Sequence, residues 1–580
     1  MASVLKSFKV NAASESTATL RSAFLSSNAS RAGSSASVGP FTILDSPSVW
    51  SKVSPYLSYL SLPSLQGASA TRTIFTILAI VATVLVLEQV TYRKKKGGLP
   101  GPKWTIPIIG KFADSLHPSL EKYQAGWNSG PLSVASVFHI FIVVASSTEH
   151  TRKILNSPTY TEPCLVASAK KVLNPDNWVF LNGKAHVDFR KGLNTLFTRK
   201  ALATYLSIQE SIYKQHFRKW MSDSEDGSFR PYQMPFRDLN MDTSLRVFCG
   251  DYIPEHGAKE VSDNYWLITV ALELVNFPFA FPGTKVYKAI QARKLAMKWF
   301  ELTARESKKR MAEGGQVNCL TDAWVKAMLD AREETSNGVS ELTSEQRRLL
   351  VRDFSDREIA MVLMSFLFAS QDAMSSAVVY LFQHMADRPD ILQKVREEQY
   401  ALRGDDLDAP VTLDQVDRME YARVVVKESL RMKPPVIMVP YLAHRDFPID
   451  DKYTVPKGSM VIPSFWNALH DAEVYHKPDE FIPERWLDPE SSANKGVKNW
   501  LVFGSGPHNC IGQQYALMHL TAVLGAASIG MNWEHEITPL SEEVEVIATI
   551  FPKDGARMKF TERRRPQAGA SPKEAAAAQL

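Results

Sequence analysis

The sequence predicts a mainly α-helical protein with a minor β region, attached to a single N-terminal transmembrane helix. Three observations favour this fold class. Residues 73–87 form an uncharged apolar run, helical patterns dominate the long remainder of the chain, and short strand patterns with turn residues concentrate in residues 447–462. With 580 residues, 45% of them hydrophobic and 22% charged, the chain has the composition of a globular protein.

Charge and cysteine content exclude two common classes. The net charge of +5 is small for this length, and no Lys/Arg-rich block alternates with aromatic residues, so nucleic acid is not an expected partner. No Cys-x-x-Cys pair occurs, so neither a zinc site nor a disulfide framework is indicated. The cysteines are scattered, and at least one is a candidate lone thiolate: Cys164, Cys249, Cys319 and Cys510.

The N-terminal region predicts a membrane anchor behind a polar extension. Residues 1–72 are rich in Ser and Ala, and we expect them to form a mostly disordered lumenal extension. Residues 73–92 are long and apolar enough to cross a bilayer. The basic run Arg93–Lys96 follows, which places this end in the cytosol. A signal peptide is less consistent, because the run starts far from the N-terminus and no small-residue cleavage site follows it.

The anchor is followed by a connector and one large domain. Residues 93–110 form a hinge that is basic and then rich in Pro and Gly, and its part from Gly97 to Gly110 is predicted to be stiff and non-helical. Residues 111–562 contain no linker long enough to divide them, so we expect a single catalytic domain there. Residues 563–580 are expected to form a disordered tail.

The sharpest chemical signal is the segment FGSGPHNCIG, Phe503–Gly512, which runs directly into a helical pattern. A cysteine in a Gly/Pro loop before a helix has its thiolate stabilised by backbone N–H groups and the helix dipole. Cys510 is therefore a candidate metal ligand. Gly506 and Gly512 allow the backbone to pass close to a flat ligand, and Phe503 can pack beside the sulfur. A buried structural cysteine is the alternative.

This loop resembles the haem-binding loop of the cytochrome P-450 superfamily, in which the cysteine thiolate is the axial ligand of the haem iron. Other segments match in the required order: KESLR, FIPERW and GKAHVDFRKGL. The resemblance implies the cytochrome P-450 fold, haem b and a buried structural triad of Glu428, Arg431 and Arg485. It also implies haem contacts from a set of loop and helix residues: Phe503, Gly506, His508, Cys510, Gly512, Arg190 and His186.

The segment FASQDAMSSA, Phe368–Ala377, places a carboxylate inside an apolar helix. Such a group is normally paired or functional, so Asp372 is either a satisfied core acid or a proton relay. The superfamily usually has a threonine directly after this acid, where this chain has Ala373. Ser375 and Ser376 lie three and four residues beyond Asp372 on the same helical face, so either hydroxyl could hold a water against the Asp372 carboxylate.

The sequences of three segments resemble those of the sterol C-22 desaturases, a membrane-bound branch of the superfamily: FLFASQDA, FGSGPHNCIGQQYA and NFPFAFPGTKVYKAIQAR. This resemblance implies removal of two hydrogens from the sterol side chain in ergosterol biosynthesis, which creates a trans C-22 double bond and consumes dioxygen and NADPH-derived electrons. It implies a set of pocket residues, each of which could equally be ordinary core: Phe368, Ala369, Ala373, Val436, Met438, Thr549, Ile550 and Phe551.

The resemblance also implies partners and a location. No flavin or nicotinamide fingerprint is present, so we expect electrons from a separate NADPH-cytochrome P-450 reductase. Lys191, Lys495 and Lys498 could dock it, or could be ordinary solvated surface lysines. We expect a single-pass protein of the endoplasmic reticulum membrane with a cytosolic catalytic domain. Its sterol could enter from membrane lipid beside residues 276–281, a segment that could equally be ordinary core. The alternatives are a sterol 14α-demethylase or other lipid monooxygenase, a haem-thiolate isomerase, and a non-enzymatic membrane carrier of haem or sterol.

Overall fold

The computed structural model describes residues 70–107, 109–110, 118–137, 140–164, 167–272, 279–336, 354–404, 406–564, 571 and 573–574. The chain divides into two compact units, Met1–Leu78 and Ala79–Leu580. Most of the predicted lumenal extension, and the predicted tail apart from residues 563, 564, 571, 573 and 574, lie outside the described residues. Their disorder stays a prediction.

Helices make up most of the described chain, as the sequence predicts. In order they are α1 Ala70–Lys96, α2 Leu120–Trp127, α3 Thr148–Leu155, α4 Ala167–Leu173, α5 Gly183–Leu193, α6 Arg199–Asp223, α7 Gln233–Cys249, α8 Glu255–Ala271, α9 Lys285–Ala312, α10 Leu320–Ser336, α11 Asp356–Asp387, α12 Pro389–Arg403, α13 Leu413–Arg418, α14 Glu420–Met432, α15 Phe465–Leu469, α16 Ser492–Lys495 and α17 Gln513–Gly530.

The strands are short, as expected for the minor β region. They are β1 Leu132–Val137, β2 Ile140–Ala145, β3 Thr161–Pro163, β4 Arg230–Pro231, β5 Tyr441–Ala443, β6 Phe447–Pro448, β7 Thr454–Val455, β8 Met460–Pro463, β9 Met531–His535, β10 Val544–Val546, β11 Ile550–Pro552 and β12 Arg557–Glu562. The largest sheet has the order β1-β2-β8-β5-β3, and only its β2–β8 pair is parallel within the described residues. The mainly α prediction with a minor β part is confirmed.

Among the described residues, two helices are long and apolar enough to span a membrane, and they differ in burial. In Arg72–Lys96 of α1, only 6% of the most apolar stretch is buried, and large apolar side chains such as Phe75 and Val86 are exposed. In Asp356–Asp387, which form α11, 78% of the corresponding stretch is buried, so α11 is a core helix. Helix α1 runs through Lys96, beyond the predicted limit of the span at residue 92.

The last turns of α1 pack on the connector that follows. The buried Gln89 side chain accepts from the Thr105 backbone N–H at 3.1 Å, and its amide donates to the Thr105 hydroxyl at 3.0 Å. The Tyr92 hydroxyl donates to the Pro102 carbonyl at 3.0 Å. These contacts satisfy polar groups that would otherwise be buried unpaired. The Pro/Gly connector is therefore held by side chains as well as by its prolines.

Helix α11 runs through the main hydrophobic core. Ser355 caps it, with a reciprocal hydrogen-bond pair between Ser355 and Glu358 that satisfies exposed N–H groups of the first turn. Its middle is apolar on nearly every side, which explains why it is buried among other helices. Helix α17, which follows the cysteine loop, is buried along most of its length as well. The core thus brings two sequence motifs into one cluster.

Candidate active site

Two glycines of the cysteine loop have backbone angles that favour glycine. Gly504 and Gly506 have φ angles of +71° and +72°, in the left-handed region. A Cβ atom on Gly506 would lie 2.3 Å from the Leu155 carbonyl oxygen of α3, so the loop can pass α3 only at a glycine. The Cys510 backbone N–H donates to the Phe503 carbonyl at 2.9 Å, which closes the loop.

Cys510 lies just before the N-terminus of α17, where Gly512 is the N-cap residue. Its side chain keeps accessible surface, but protein surrounds it closely enough that desolvation raises the pKa of the thiol. The Gly512 backbone N–H and the Arg190 charge act in the opposite direction and lower that pKa. A metal bound to the sulfur would lower the pKa of the thiol much further and would deprotonate it. The loop therefore suits a thiolate ligand.

The three residues predicted to form a triad meet in one buried ion-pair cluster. Arg431 donates to both oxygens of Glu428, at 2.9 and 3.0 Å, and Arg485 donates to Glu428 Oε1 at 3.0 Å. The Trp486 indole N–H donates to Glu428 Oε2 at 2.9 Å, and the Ile482 N–H to Oε1 at 3.0 Å. A buried carboxylate needs this many donors, because an unsatisfied one is very costly. The cluster joins α14 to residues 482–486.

Most of the remaining donors of both guanidinium groups go to backbone carbonyls, and Arg431 also donates to the Met432 sulfur at 2.7 Å. Arg431 donates to the Leu469 carbonyl at 3.0 Å, and Arg485 donates to the His476 and Lys477 carbonyls at 2.6 and 3.1 Å. The cluster thereby fixes the irregular chain that precedes the cysteine loop. All three charged side chains are buried, which agrees with the structural role that the resemblance implies.

A second group of predicted residues gathers beside the loop. Arg190 of α5 donates to the Asn509 side-chain oxygen at 2.8 Å. The His186 and His508 rings stack with centroids 3.9 Å apart. Desolvation is the largest cause that lowers the pKa of both imidazoles, that of His508 to about 4. Both rings are therefore neutral at neutral pH. Trp178 stacks on His186 and was not expected from the sequence, since it lies outside the matched segment.

This donor set fits a haem. Among the described residues, the Nδ1 atom of buried His186 and the indole N–H of Trp178 lack a hydrogen-bond partner. The Arg190 guanidinium likewise has no carboxylate partner there, although it donates to Asn509. A cation without a carboxylate partner, beside polar groups without partners, suits an anionic carboxylate such as a haem propionate. Cys510 adds the thiolate that haem iron requires.

The middle of α11 presents a small-residue face. Ala369 is exposed and Ala373 half-buried, although the helix on either side is almost entirely buried. These two positions are four residues apart and so lie on one face of the helix. Phe368 is half-buried beside them and packs against the main core. Three of the predicted pocket residues thus share one region of α11.

Asp372 has partners that the sequence did not reveal. Its Oδ1 atom accepts from the Arg237 guanidinium of α7 at 2.5 Å, and its Oδ2 atom accepts from the Thr269 hydroxyl of α8 at 2.9 Å. Only 5% of the Asp372 side chain and 4% of the Arg237 side chain are exposed. The Arg237 guanidinium also lies over the Trp266 ring, 4.7 Å from its centroid. Asp372 is therefore held where α7, α8 and α11 meet.

The structure brings neither predicted serine hydroxyl to the Asp372 carboxylate. The Ser375 hydroxyl donates to the Gln371 carbonyl at 2.5 Å and accepts from Asn240 at 3.2 Å. The Ser376 hydroxyl donates to the Ile550 carbonyl at 2.6 Å. Both serines are fully buried. Each hydroxyl proton is thus engaged by a backbone carbonyl.

The remaining predicted pocket residues lie at β11 and its preceding turn or in the segment that precedes β5. The Thr549 hydroxyl donates to the Asp372 carbonyl at 3.4 Å, which places β11 and its preceding turn against α11. Ile550 and Phe551 are almost completely buried, whereas Val436 and Met438 are half-buried. Of the apolar segment 276–281, residues 276–278 lie outside the described chain. Phe279 and Phe281 are 54% and 66% exposed.

The comparisons with known proteins agree with this geometry. The cytochrome P450 family model matches residues 99–544. The C-22 sterol desaturase erg5 of Aspergillus fumigatus is 47% identical over 517 residues, which is 88% of this chain and 98% of that protein. The C-22 sterol desaturase ERG5 of Saccharomyces cerevisiae is 46% identical over 505 residues, 87% of this chain and 92% of that protein.

A solved structure supports the fold independently of close sequence similarity. The retinoic acid-bound cyanobacterial CYP120A1 superposes with a TM-score of 0.68 at 20% identity, over 80% of this chain and 100% of that one. Fold, family model and near full-length relatives all agree, so the chain belongs to the cytochrome P450 family.

Proposed function

We propose that this protein is a membrane-bound haem-thiolate sterol C-22 desaturase of ergosterol biosynthesis. The near full-length likeness to two fungal C-22 sterol desaturases carries the proposal, because it spans the anchor end of the domain, α11 and the cysteine loop alike. The replacement of the usual threonine by Ala373 agrees with that branch. An intact buried acid at Asp372 argues against a mere carrier of haem or sterol.

Cys510 would hold the iron of haem b, and Arg190 with His186 and His508 would bind its carboxylates. When bound, the haem supplies dioxygen activation, which electron donation from the thiolate favours. The structural triad of Glu428, Arg431 and Arg485 would stabilise the chain that precedes the cysteine loop. The acid that we assign to proton delivery is Asp372, because it is buried in α11 beside the small-residue face.

Desaturation requires two neighbouring side-chain carbons of the sterol to be held at the same distance from the reacting centre. This is a matter of positioning, which can supply a large part of a rate enhancement. Ala369 and Ala373 leave room against α11, and Phe368 offers an apolar wall beside them. These residues would bind the sterol side chain and exclude water from it.

The remaining assignments follow from the proposed reaction. NADPH-cytochrome P-450 reductase would deliver the electrons to the cysteine-loop side, where Lys191, Lys495 and Lys498 are exposed. Helix α1 would anchor the protein in the endoplasmic reticulum membrane with the catalytic domain in the cytosol, as the basic end of α1 indicates. Phe279 and Phe281 lie exposed in the apolar segment where a sterol could leave the bilayer.

Reconstitution tests the proposal. The full chain, loaded with haem in nanodiscs, is combined with the reductase, NADPH and an ergosta-type sterol that is saturated at C-22. Mass spectrometry and proton NMR should show a product that lacks two hydrogens and has a trans C-22 double bond. The Cys510→Ser variant should form none. A C-22 alcohol or loss of the 14α-methyl group as the main product would overturn the assignment.

A further inference from the structure

The hydroxyl partner of Asp372 is the open question of the site. Helix α11 has Ala373 where the acid is usually followed by threonine, and the Ser375 and Ser376 hydroxyls donate to backbone carbonyls. No residue of α11 therefore offers a free hydroxyl proton to this carboxylate. A hydroxyl does reach it, however, from a different helix.

We propose that Thr269 of α8 is a positioning residue that supplies the hydroxyl partner of Asp372 that α11 lacks. The proposal deepens the function proposed above and rests on it. The Thr269 hydroxyl donates to Asp372 Oδ2 at 2.9 Å, and Thr269 is only 1% exposed. The Arg237 guanidinium also points to the same hydroxyl oxygen, at 3.5 Å. Carboxylate, guanidinium and hydroxyl thus form one closed, buried group.

The two oxygens of Asp372 are held unequally. The bond from Arg237 to Oδ1 is short and charge-assisted, and its loss would leave two buried charges unpaired. The bond from Thr269 to Oδ2 comes from a neutral hydroxyl and is the weaker of the two. Oδ2 is therefore the oxygen that can exchange a protein donor for a water. Thr269 is the donor that such a water would replace.

Helix α8 contacts the Asp372–Arg237 pair at two points. Thr269 lies in the last turn of α8, which ends at Ala271, and Trp266 covers the Arg237 guanidinium from one turn earlier. A shift of this helix end must therefore move both the hydroxyl and the ring.

Two substitutions and a matched control test the proposal. Thr269→Val keeps the side-chain shape but removes the hydroxyl, and Thr269→Ser restores the hydroxyl alone. Thr243→Val is the control, because Thr243 is equally buried but donates only to the Leu239 carbonyl of its own helix, at 2.7 Å. The first readout is the amount of oxidised sterol formed per NADPH consumed, with hydrogen peroxide as the leak product.

We expect Thr269→Val to lower this ratio roughly five-fold, the effect of losing one ordinary hydrogen bond. Thr269→Ser should recover most of it, and Thr243→Val should match the wild type. The proposal is overturned if Thr269→Val stays coupled like the wild type, or if Thr269→Ser is as uncoupled as Thr269→Val.

Hydrogen–deuterium exchange on the sterol-free protein gives a second readout that does not depend on turnover. Thr269→Val should raise exchange in residues 265–272, whereas Thr269→Ser should not. Unchanged exchange in Thr269→Val would contradict the inferred tie between α8 and Asp372. The product formed by the wild type identifies the reaction separately, so failure of the proposed function would show as a different product. The ratio of that product to NADPH consumed can then still be compared between the Thr269 variants and the wild type.

Discussion

At the scale of single residues, the acid of α11 is the most informative position. The sequence shows an isolated carboxylate in an apolar helix and leaves open whether it is paired or active. The structure gives it Arg237 and Thr269 as partners, which lie 135 and 103 residues away along the chain. No local spacing connects these positions, so no pattern in the sequence could have identified them. The acid itself could be found because burial of an unpaired charge is so costly.

The Asp372–Arg237 pair makes a prediction about stability. Arg237→Leu removes one partner and leaves a buried carboxylate, so we expect the free energy of unfolding to fall by about 3–5 kcal/mol. The double variant Arg237→Leu, Asp372→Leu should recover a large part of this loss, because no charge then remains buried. Chemical denaturation of the two single variants, Arg237→Leu and Asp372→Leu, and of the double variant measures both effects. A double variant as unstable as the sum of the two single ones would contradict the coupling.

Trp178 is a residue of the candidate site that the sequence did not identify. It stacks on His186, which itself stacks on His508, and its indole N–H has no partner in the part of the chain that the structure describes. The sequence match covers His186 and Arg190 on α5, but Trp178 precedes α5 in a separate short helical turn. A buried donor of this kind could be recognised only once the fold had placed it beside the loop.

At the scale of elements, helix boundaries follow local chemistry well where caps are present. Ser355 and Glu358 form the capping box of α11, and both lie in the sequence with the expected spacing. Helix α1 differs, since it continues through Lys96 into the basic run. The prediction ended the span at the membrane interface, but Lys and Arg are good helix formers and nothing breaks the helix before Gly97.

The cap of α11 gives the element-scale prediction. Ser355→Ala removes a side chain that accepts from the Glu358 backbone N–H at 3.2 Å, so we expect a loss of about 1 kcal/mol in the free energy of unfolding. Ser207→Ala serves as the control, because Ser207 lies inside α6 and donates only to the backbone. Denaturant titration compares the two. Equal effects of both substitutions would show that the cap contributes nothing.

At the scale of the whole molecule, what could be predicted depends on how local the signal is. The cysteine loop and the Glu428–Arg431 spacing are contiguous motifs, and the structure places Arg485 beside them as the family pattern implies. The assignment to the cytochrome P450 family is confirmed, as is the mainly α fold. The contacts of Ser375 and Ser376 could not be predicted, because they depend on Asn240 and on β11, which are distant in sequence.

The buried histidines predict how stability depends on pH. Burial is the largest cause that lowers the pKa of four imidazoles, to about 3 for His384 and His519 and to about 4 for His470 and His508. In the unfolded chain these groups bind protons below about pH 6.5. The unfolded state therefore binds more protons between about pH 6.5 and 4, so stability is full above this window and falls as the pH decreases through it.

His519→Gln tests this sign. The substitution removes one titrating group and keeps a polar side chain between Tyr213 and Asn240, which His519 contacts at 2.7 and 3.1 Å. We expect the slope of the unfolding free energy between pH 6.5 and 4.5 to decrease by up to about 1.4 kcal/mol per pH unit. Thermal or chemical unfolding across this range measures it. A slope as steep as that of the wild type would show that His519 does not bind protons preferentially in the unfolded state.

The position of the removed hydrogens tests the proposed function most directly. A sterol labelled with deuterium at C-22 and C-23 is converted by the reconstituted protein, and the product is analysed by mass spectrometry and NMR. The account predicts a trans C-22 alkene that has lost one label from each carbon. A product that keeps both carbons saturated, or one oxidised at the 14α-methyl group, would contradict it.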